Sequence, residues 1–383
     1  MRPRIIVNRH TPYAEQLFQT IGDVTALASS EITKESVRDA DVLVVRSETQ
    51  VSKELLEGSR VGFVGTVTIG TDHIDHQYLK ERSIASASAA GSNANSVAEY
   101  ILSALLQISI KKNVPLNGLM LGVVGVGNIG SKVVRIAEAL GMKVLQCDPP
   151  LARATGEKHF VLFEEALQAD IVTFHVPLTK TGDDATYHMV NETAIRKMKP
   201  GSVLMNTSRG GVIETNALMK ALDDKHLSEA ILDVWEKEPN INIELLKRVF
   251  IGTPHIAGYS LDGKLNAVQM IYEAVCRHYN IISKINVREF LPPANLSGVQ
   301  FNGEKNRKEA VLSSIVKQAY DIEFDDMSLR KLTELPGSEH SKYFSQLRSG
   351  YRERKEFSHY QVGSSGLDED LKKFLQLIQF KIM

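Results

Sequence analysis

Between Arg4 and Ala90, short β-branched runs such as "RIIVNR", "DVLVVRS" and "VGFVGTV" alternate with stretches of helical spacing such as "TPYAEQLFQTIG" and "SKELLEG". Strand-like and helix-like segments in strict alternation predict a parallel sheet covered by helices. In "NANSVAEYILSALLQIS", Val97, Ile101, Leu105 and Ile108 recur at helical spacing behind an Asn/Ser-rich start suited to capping, which predicts a long helix able to join two domains. "LMLGVVGVGNIGSKVVRIAEALGMKVLQCDPP" then reads as strand, glycine turn, helix and second strand, the pattern of one βαβ unit. Further strands are predicted in "ADIVTFHVP", "SVLMNTS", "EAILDV" and "VFIGTPH", with helices in "NETAIRKMK" and "NALMKALDD" between them.

The pattern changes after about residue 288. "REFLPPANLSGVQFNGEKNR" carries a proline pair and turn residues, followed by a helical "KEAVLSSIVKQAYDI", a charged "RERKEF", a strand-like "SHYQV" and a helical "DEDLKKFLQLIQF". This predicts a small separate α+β domain. Its apolar positions are few for a self-sufficient core, so pairing with a second copy would bury the remainder.

Composition narrows the function classes. At 383 residues the chain exceeds what one core usually supports, so two or three domains are expected. A formal net charge of -1 offers no basic surface for nucleic acid or an anionic membrane, so anion binding has to be local. No apolar run approaches the ~18 residues of a spanning helix, and "MRPRIIVNRH" is too short in its apolar part for a secretion signal. Two cysteines, Cys147 and Cys276, make neither a disulfide framework nor a metal cluster, which fits a reducing cytoplasm.

The middle segment carries the clearest chemistry. Gly125, Gly127 and Gly130 stand in G-x-G-x-x-G spacing between a strand and a helix, where the first permits a tight turn, the second lets backbone approach a pyrophosphate, and the third lets helix pack on strand. Asp148 ends the following strand at the place of a ribose-binding acid. Its carboxylate would accept from the adenosine ribose hydroxyls and repel a 2′-phosphate, so NAD is expected rather than NADP.

"NTSRGG", "LDVWEKEP" and "TPHIAGY" fall at the ends of successive predicted strands, the edge where open α/β sheets bind ligands. They supply Arg209, Glu238 and His255, with Glu236 a competing carboxylate. A guanidinium to hold a carboxylate, an imidazole to take a hydroxyl proton and a carboxylate to orient the imidazole together suit oxidation of a 2-hydroxy acid.

The set "NANSVAE", "GVGNIG", "NTSRG", "DVWEKEP" and "TPHIAG" resembles the D-2-hydroxyacid dehydrogenase family over about residues 1 to 285. The glutamate immediately before the proline, Glu238, is the one the resemblance favours. It also implies that Asp233 meets the nicotinamide amide and that Asn128, Ile129, Val176, Thr207, Ser208 and Gly258 line the cofactor with Arg209. Ser47, Thr68 and Tyr259 are expected on a phosphorylated 2-hydroxy acid substrate. Arg46, Arg348, Arg352 and Arg354 are candidate phosphate ligands, though a charged tail of this kind can equally form a solvated helix face. Gln50 stands where a lysine is expected.

The fold implied is α/β with a flavodoxin-like substrate lobe (residues 1–93 completed by 259–288), a Rossmann NAD-binding lobe (94–258) and a C-terminal α+β domain (289–383) that makes a homodimer. Another dehydrogenase of the family, or a non-catalytic NAD-sensing binding protein on the same fold, remain the alternatives.

Overall fold

The computed structural model describes residues 2–282, 285–291, 296–300 and 307–383; the proline pair at 292–293 and the turn-rich 301–306 lie outside the described residues. The chain forms two compact units, Met1–Asn93 with Ser260–Ala294, and Ala94–Tyr259 with Asn295–Met383.

The first unit is built on strands β1 (Arg4–Asn8), β2 (Asp23–Leu27), β3 (Val42–Val45), β4 (Phe63–Thr66) and β5 (Ala85–Ser88). All neighbours pair in parallel, in the order β2-β1-β3-β4-β5. The apolar runs have no alternation because both faces are covered. Ile5, Val7, Val42 and Val44 pack under the helix Leu261–His278, while Ile6, Leu43, Val45 and Val64 face a second cluster with Val37, Leu56 and Leu79. Gly65 is required at that contact, since a Cβ there would come within 2.4 Å of Ile271.

In the second unit β6 (Met120–Val124), β7 (Lys143–Cys147), β8 (Ile171–Phe174), β9 (Ser202–Asn206), β10 (Leu227–Leu232) and β11 (Ile251–Gly252) form a parallel sheet in the order β11-β10-β9-β8-β6-β7. Strand order reverses at β6, whose successor β7 lies on one side and β8 on the other. That reversal opens a crevice at the carboxyl ends of the strands. Odd positions such as Leu121, Val123, Val203 and Met205 meet the helices Ala94–Lys112 and Gly130–Ala139, while Val172, Phe174, Leu204 and Leu232 meet the opposite helical layer.

The helix Ala94–Lys112 is buried on more sides than its Val97/Ile101/Leu105/Ile108 stripe predicts: Tyr100, Leu102 and Leu106 are covered as well. The helix Lys308–Ala319 from the C-terminal segment packs against it, and both contribute to one core. That segment also carries the helices Ile322–Arg330, His340–Ser349 and Glu369–Leu377 and a parallel sheet of β12 (Ser297–Val299), β13 (Tyr360–Val362) and β14 (Lys381–Ile382). Among the described residues no helix is long and apolar enough to cross a membrane, and no group of His, Cys, Asp and Glu could hold a metal ion.

Candidate active site

The glycine turn follows β6, and its three glycines are glycines for different reasons. Gly125 has φ +88 and a Cβ would lie 2.7 Å from the His175 carbonyl oxygen; at Gly130 a Cβ would lie 2.0 Å from the Gly125 oxygen. Gly127 meets nothing within 4 Å, so nothing in the described chain demands its missing side chain. The open space over Gly127 is where a pyrophosphate needs close backbone approach, with the amino end of the ten-residue helix Gly130–Ala139 behind it. Asn128 and Ile129 lie between the two, in the turn itself.

Asp148, one residue past β7, caps the helix Pro149–Thr155, its Oδ1 accepting from the Leu151 amide at 3.0 Å, and Pro149 and Pro150 open that helix where a missing N–H is harmless. Its Oδ2 accepts from the Val126 amide at 2.8 Å, tying the carboxylate to the glycine turn. Each oxygen keeps acceptor capacity for a ribose hydroxyl. The residues fit a dinucleotide on geometry alone: a cradle a Cβ would not fill by clashing with protein, a helix amino end, and an acid at the next strand end.

Val176 lies just past β8. Beside it His175 is bracketed by the Thr173 hydroxyl at 3.1 Å and the Thr207 hydroxyl at 3.2 Å, and burial pushes its imidazole down to about 3, so the ring is neutral and orients Thr207 at the end of β9. Ser208 bonds back to the Asn206 side chain through both its amide (2.9 Å) and hydroxyl (2.7 Å). Arg209 heads the turn that follows, its carbonyl held by the Asn206 amide group at 2.9 Å. Gly210 explains how that turn meets the next loop: a Cβ there would sit 2.0 Å from the Trp235 backbone. The first glycine after Arg209 therefore lets two strand-end loops meet.

Asp233 follows β10, wholly buried. Its Oδ1 accepts from the Thr253 hydroxyl (2.6 Å) and the Ile256 amide (2.8 Å), its Oδ2 from the Ala257 amide (3.0 Å), and its carbonyl from the His255 amide (2.7 Å). Burial raises the Asp233 carboxyl, and the nearby His255 and these hydrogen bonds oppose the rise. A carboxylate takes about four hydrogen bonds, so three of its places hold the turn that carries His255. His255 itself sits at φ 59, a left-handed conformation costing ~1–2 kcal/mol that the Asp233 contacts offset.

The Nδ1 of His255 lies 2.7 Å from the Glu238 Oε2. Against a carboxylate the neutral ring carries its proton on Nδ1, which leaves Nε2 as the basic nitrogen, and Nε2 has no partner among the described residues. Glu238 Oε1 accepts from the Trp235 amide at 2.8 Å. Burial alone would raise the Glu238 carboxyl, but the His255 ring, the Trp235 amide and the charge of Arg348 hold it below the ordinary range. The competing Glu236 turns away: its oxygens take the His188 Nε2 at 2.7 Å and the Thr215 amide at 2.9 Å. Gly258 and Tyr259 complete the turn beyond His255, with the Tyr259 hydroxyl 3.2 Å from Arg348.

In the first unit Ser47 and Thr68 stand two residues past the neighbouring strands β3 and β4, Ser47 exposed and Thr68 half-buried. Thr68 Oγ1 lies 2.7 Å from Thr66 Oγ1 and 2.9 Å from the Gly70 carbonyl. Arg46 is paired with Glu48 at 3.1 Å. The sequence reading passed over His175 and Gly210; a histidine and a glycine at predicted strand ends are weak signals taken singly.

Residues 107–257 match the family described as "D-isomer specific 2-hydroxyacid dehydrogenase, NAD binding domain", and residues 290–378 match a domain of unknown function, DUF3410. Along the whole chain, the protein is 40% identical over 381 residues to an erythronate-4-phosphate dehydrogenase of Marinobacter nauticus, covering 99% of both. The chain belongs to the erythronate-4-phosphate dehydrogenase family. A Cronobacter sakazakii member of that family is 39% identical over 378 residues, 98% of each chain. Among solved structures, D-lactate dehydrogenase from Aquifex aeolicus complexed with NAD and lactic acid aligns with a TM-score of 0.57 and 26% identity, over 72% of this chain and 95% of that one. The erythronate-4-phosphate dehydrogenases thus share the dehydrogenase fold, and the family's NAD-binding domain spans the six-stranded sheet with its glycine turn and its Arg209, Glu238 and His255 loops.

Proposed function

We propose that the protein oxidises 4-phospho-D-erythronate at C2 to (R)-3-hydroxy-2-oxo-4-phosphonooxybutanoate, with NAD as the acceptor, in the synthesis of pyridoxine 5′-phosphate. The observation that carries this reading is the Glu238–His255 pair, at 2.7 Å, on the same strand-end edge as the glycine turn. Near-full-length likeness to relatives named for that substrate supports the choice among 2-hydroxy acids.

NAD, when bound, supplies the hydride acceptor, and the protein supplies the rest. Arg209 holds the C1 carboxylate and polarises the C2 oxygen, so the emerging carbonyl is stabilised as it forms. His255 Nε2 takes the C2 hydroxyl proton while hydride leaves C2, converting alcohol to ketone with two electrons passed on and one proton retained. Glu238 stabilises the imidazolium that results. Asp148 takes the ribose hydroxyls. Gly125, Gly127, Asn128, Ile129 and Gly130 line the pyrophosphate, and Val176, Thr207, Ser208, Asp233 and Gly258 line the rest of the cofactor. Ser47, Thr68 and Tyr259 are assigned to the substrate.

The C-terminal segment makes a homodimer in this reading. Its helix Ile322–Arg330 exposes Phe324 and Met327, three residues apart and so on one face, which a second copy would cover. Sedimentation of the full chain tests it, and a monomer would reject it. A cytoplasmic setting accords with Cys147 and Cys276, both buried and neither in a disulfide.

The experiment for the reaction measures NADH formation from 4-phospho-D-erythronate, D-erythronate and 3-phosphoglycerate under saturating NAD. Preference for the first is expected. Equal or better use of 3-phosphoglycerate would reject this substrate while leaving the dehydrogenase chemistry intact, and no turnover of any 2-hydroxy acid would reject both.

A further inference from the structure

A substrate bearing both a C1 carboxylate and a C4 phosphate brings two anionic ends to one site, and a guanidinium that holds the first cannot also hold the second. Three tail arginines are available, and the structure separates them by what already occupies each. Arg354 is 4% exposed; it is paired with Glu99 at 3.1 Å, bonded to the Ser96 and Ala257 carbonyls, and stacked over Tyr320 at 3.8 Å. Arg352 is paired with Asp325 at 3.4 Å and lies over the Phe324 ring at 4.4 Å. Both are committed to the fold.

Arg348 differs. It has no carboxylate partner among the described residues, and its one hydrogen bond is donated to the Tyr259 hydroxyl at 3.2 Å, with the ring centroid 5.8 Å from the guanidinium carbon. Its Nε is buried without a partner, as is that of Arg354, so the missing carboxylate partner is what sets Arg348 apart. An arginine in the last turn of a helix is favourable there in any case, because that end is partly negative, but this accounts for a solvated arginine and leaves a half-buried guanidinium with no carboxylate partner among the described residues unexplained. The helix His340–Ser349 holds it rigidly, since Phe344 is fully buried in the core on one face of the six-stranded sheet. Tyr259 is in the turn that carries His255, and the charge of Arg348 is felt at Glu238. A guanidinium with no ion-pair partner among the described residues therefore stands within electrostatic reach of the proton-transfer pair and touches an assigned substrate residue.

We propose that Arg348, supplied by the C-terminal segment of the same chain, binds the phosphate of the substrate together with the Tyr259 hydroxyl. This rests on the reading above that the substrate is a phosphorylated 2-hydroxy acid. Guanidinium and phenol give a forked, charge-assisted donor set for a phosphate dianion, and the specificity that results is for an anion at the far end of the four-carbon acid. It also gives the C-terminal segment a part in recognition.

The test compares R348Q and R348K with the wild type and with R352Q, on 4-phospho-D-erythronate and on D-erythronate, under saturating NAD. Loss of a charge-assisted pair lowers kcat/KM for the phosphorylated substrate by about 10- to 100-fold, chiefly through KM. D-Erythronate should change by less than about twofold, because it lacks the group Arg348 holds. R348K should recover part of the loss, and R352Q should keep the wild-type ratio of the two substrates. Inhibition by inorganic phosphate should weaken in R348Q in parallel. The proposal is overturned if R348Q keeps the wild-type preference for the phosphorylated substrate, or loses activity on both substrates equally. A wild type that oxidises neither substrate would instead reject the reaction.

Discussion

Two Glu–His pairs stand in the loop after β10 and its surroundings, with the same closest approach and different parts to play. Glu236 meets His188 and Glu238 meets His255, each at 2.7 Å. Glu236 bonds the Nε2 of a ring that stacks on Tyr187 with centroids 4.0 Å apart, and its second oxygen holds the Thr215 amide at the start of a helix. Both Glu236 oxygens are thereby taken by the fold, while the Nδ1 of His188 has no partner among the described residues. Glu238 bonds Nδ1, so the outer nitrogen of His255 is left with a lone pair and no partner among the described residues. What separates the two pairs is which nitrogen the carboxylate takes, Nε2 in His188 and Nδ1 in His255, and what braces each ring's backbone. Asp233 devotes its carboxylate and carbonyl to the His255 turn, whereas His188, left-handed too at φ 52, is held by its amide donating to the Gly211 carbonyl at 2.8 Å.

The largest effect should come from breaking the reactive pair at the ring. H255N removes the base and is expected to lower kcat by about 10²–10⁴-fold with NAD affinity little changed, read from steady-state rates and cofactor titration. E238Q should cost less in rate. A carboxylate stabilises imidazolium, so its loss should move the ionising limb of the pH–rate profile acidward, and an unmoved limb would detach Glu238 from the reaction. D148S should narrow the preference for NAD over NADP by removing the repulsion of a 2′-phosphate, seen in the ratio of kcat/KM values for the two cofactors.

The smallest effects should come from the other pair. H188N is expected to keep kcat within about twofold, since a partly exposed pair contributes ~0–1 kcal/mol and nothing to proton transfer. Burial would raise the Glu236 carboxyl, but the Thr215 amide and His188 hold it low. Its folded value therefore lies below the unfolded one, so its stabilisation is complete above the ordinary carboxylate range and is lost as pH falls through the lowered value. E236Q should accordingly show its Tm deficit at neutral pH and converge on the wild type in acid.

Glu99 behaves with the opposite sign. Burial pushes it up to about 8 despite Arg354, so the folded state favours its proton and stability declines as pH climbs from the carboxylate range toward that value. E99Q should flatten that decline in a Tm–pH series.

Much of the nucleotide-binding half was legible because its signals are local. The glycine spacing, the aspartate after β7 and the apolar runs each lie within one βαβ unit, and the strand ends follow from them. The choice between Glu236 and Glu238 was legible only through family likeness, since both stand in "EKEP" and the partners that distinguish them, His188 and His255, lie 48 and 17 residues away. The "RERKEF" run was least legible. Read alone, six mostly charged residues suggest a solvated face, yet Arg354 and Glu356 are buried. They are bonded to Glu99, Ser96 and Asn95, more than 250 residues earlier in the chain. No periodicity encodes such a match; it exists only once the fold has brought the two stretches together.

The central claim is that C2 gives its hydrogen to NAD as hydride while the hydroxyl proton goes to His255. The most direct test is to oxidise 4-phospho-D-erythronate deuterated at C2 and locate the label by NMR and mass spectrometry. The account predicts one deuterium at C4 of the nicotinamide for each 2-oxo acid formed, and none released to water. Deuterium appearing in solvent, or a 2-oxo acid formed without labelled NADH, would contradict it.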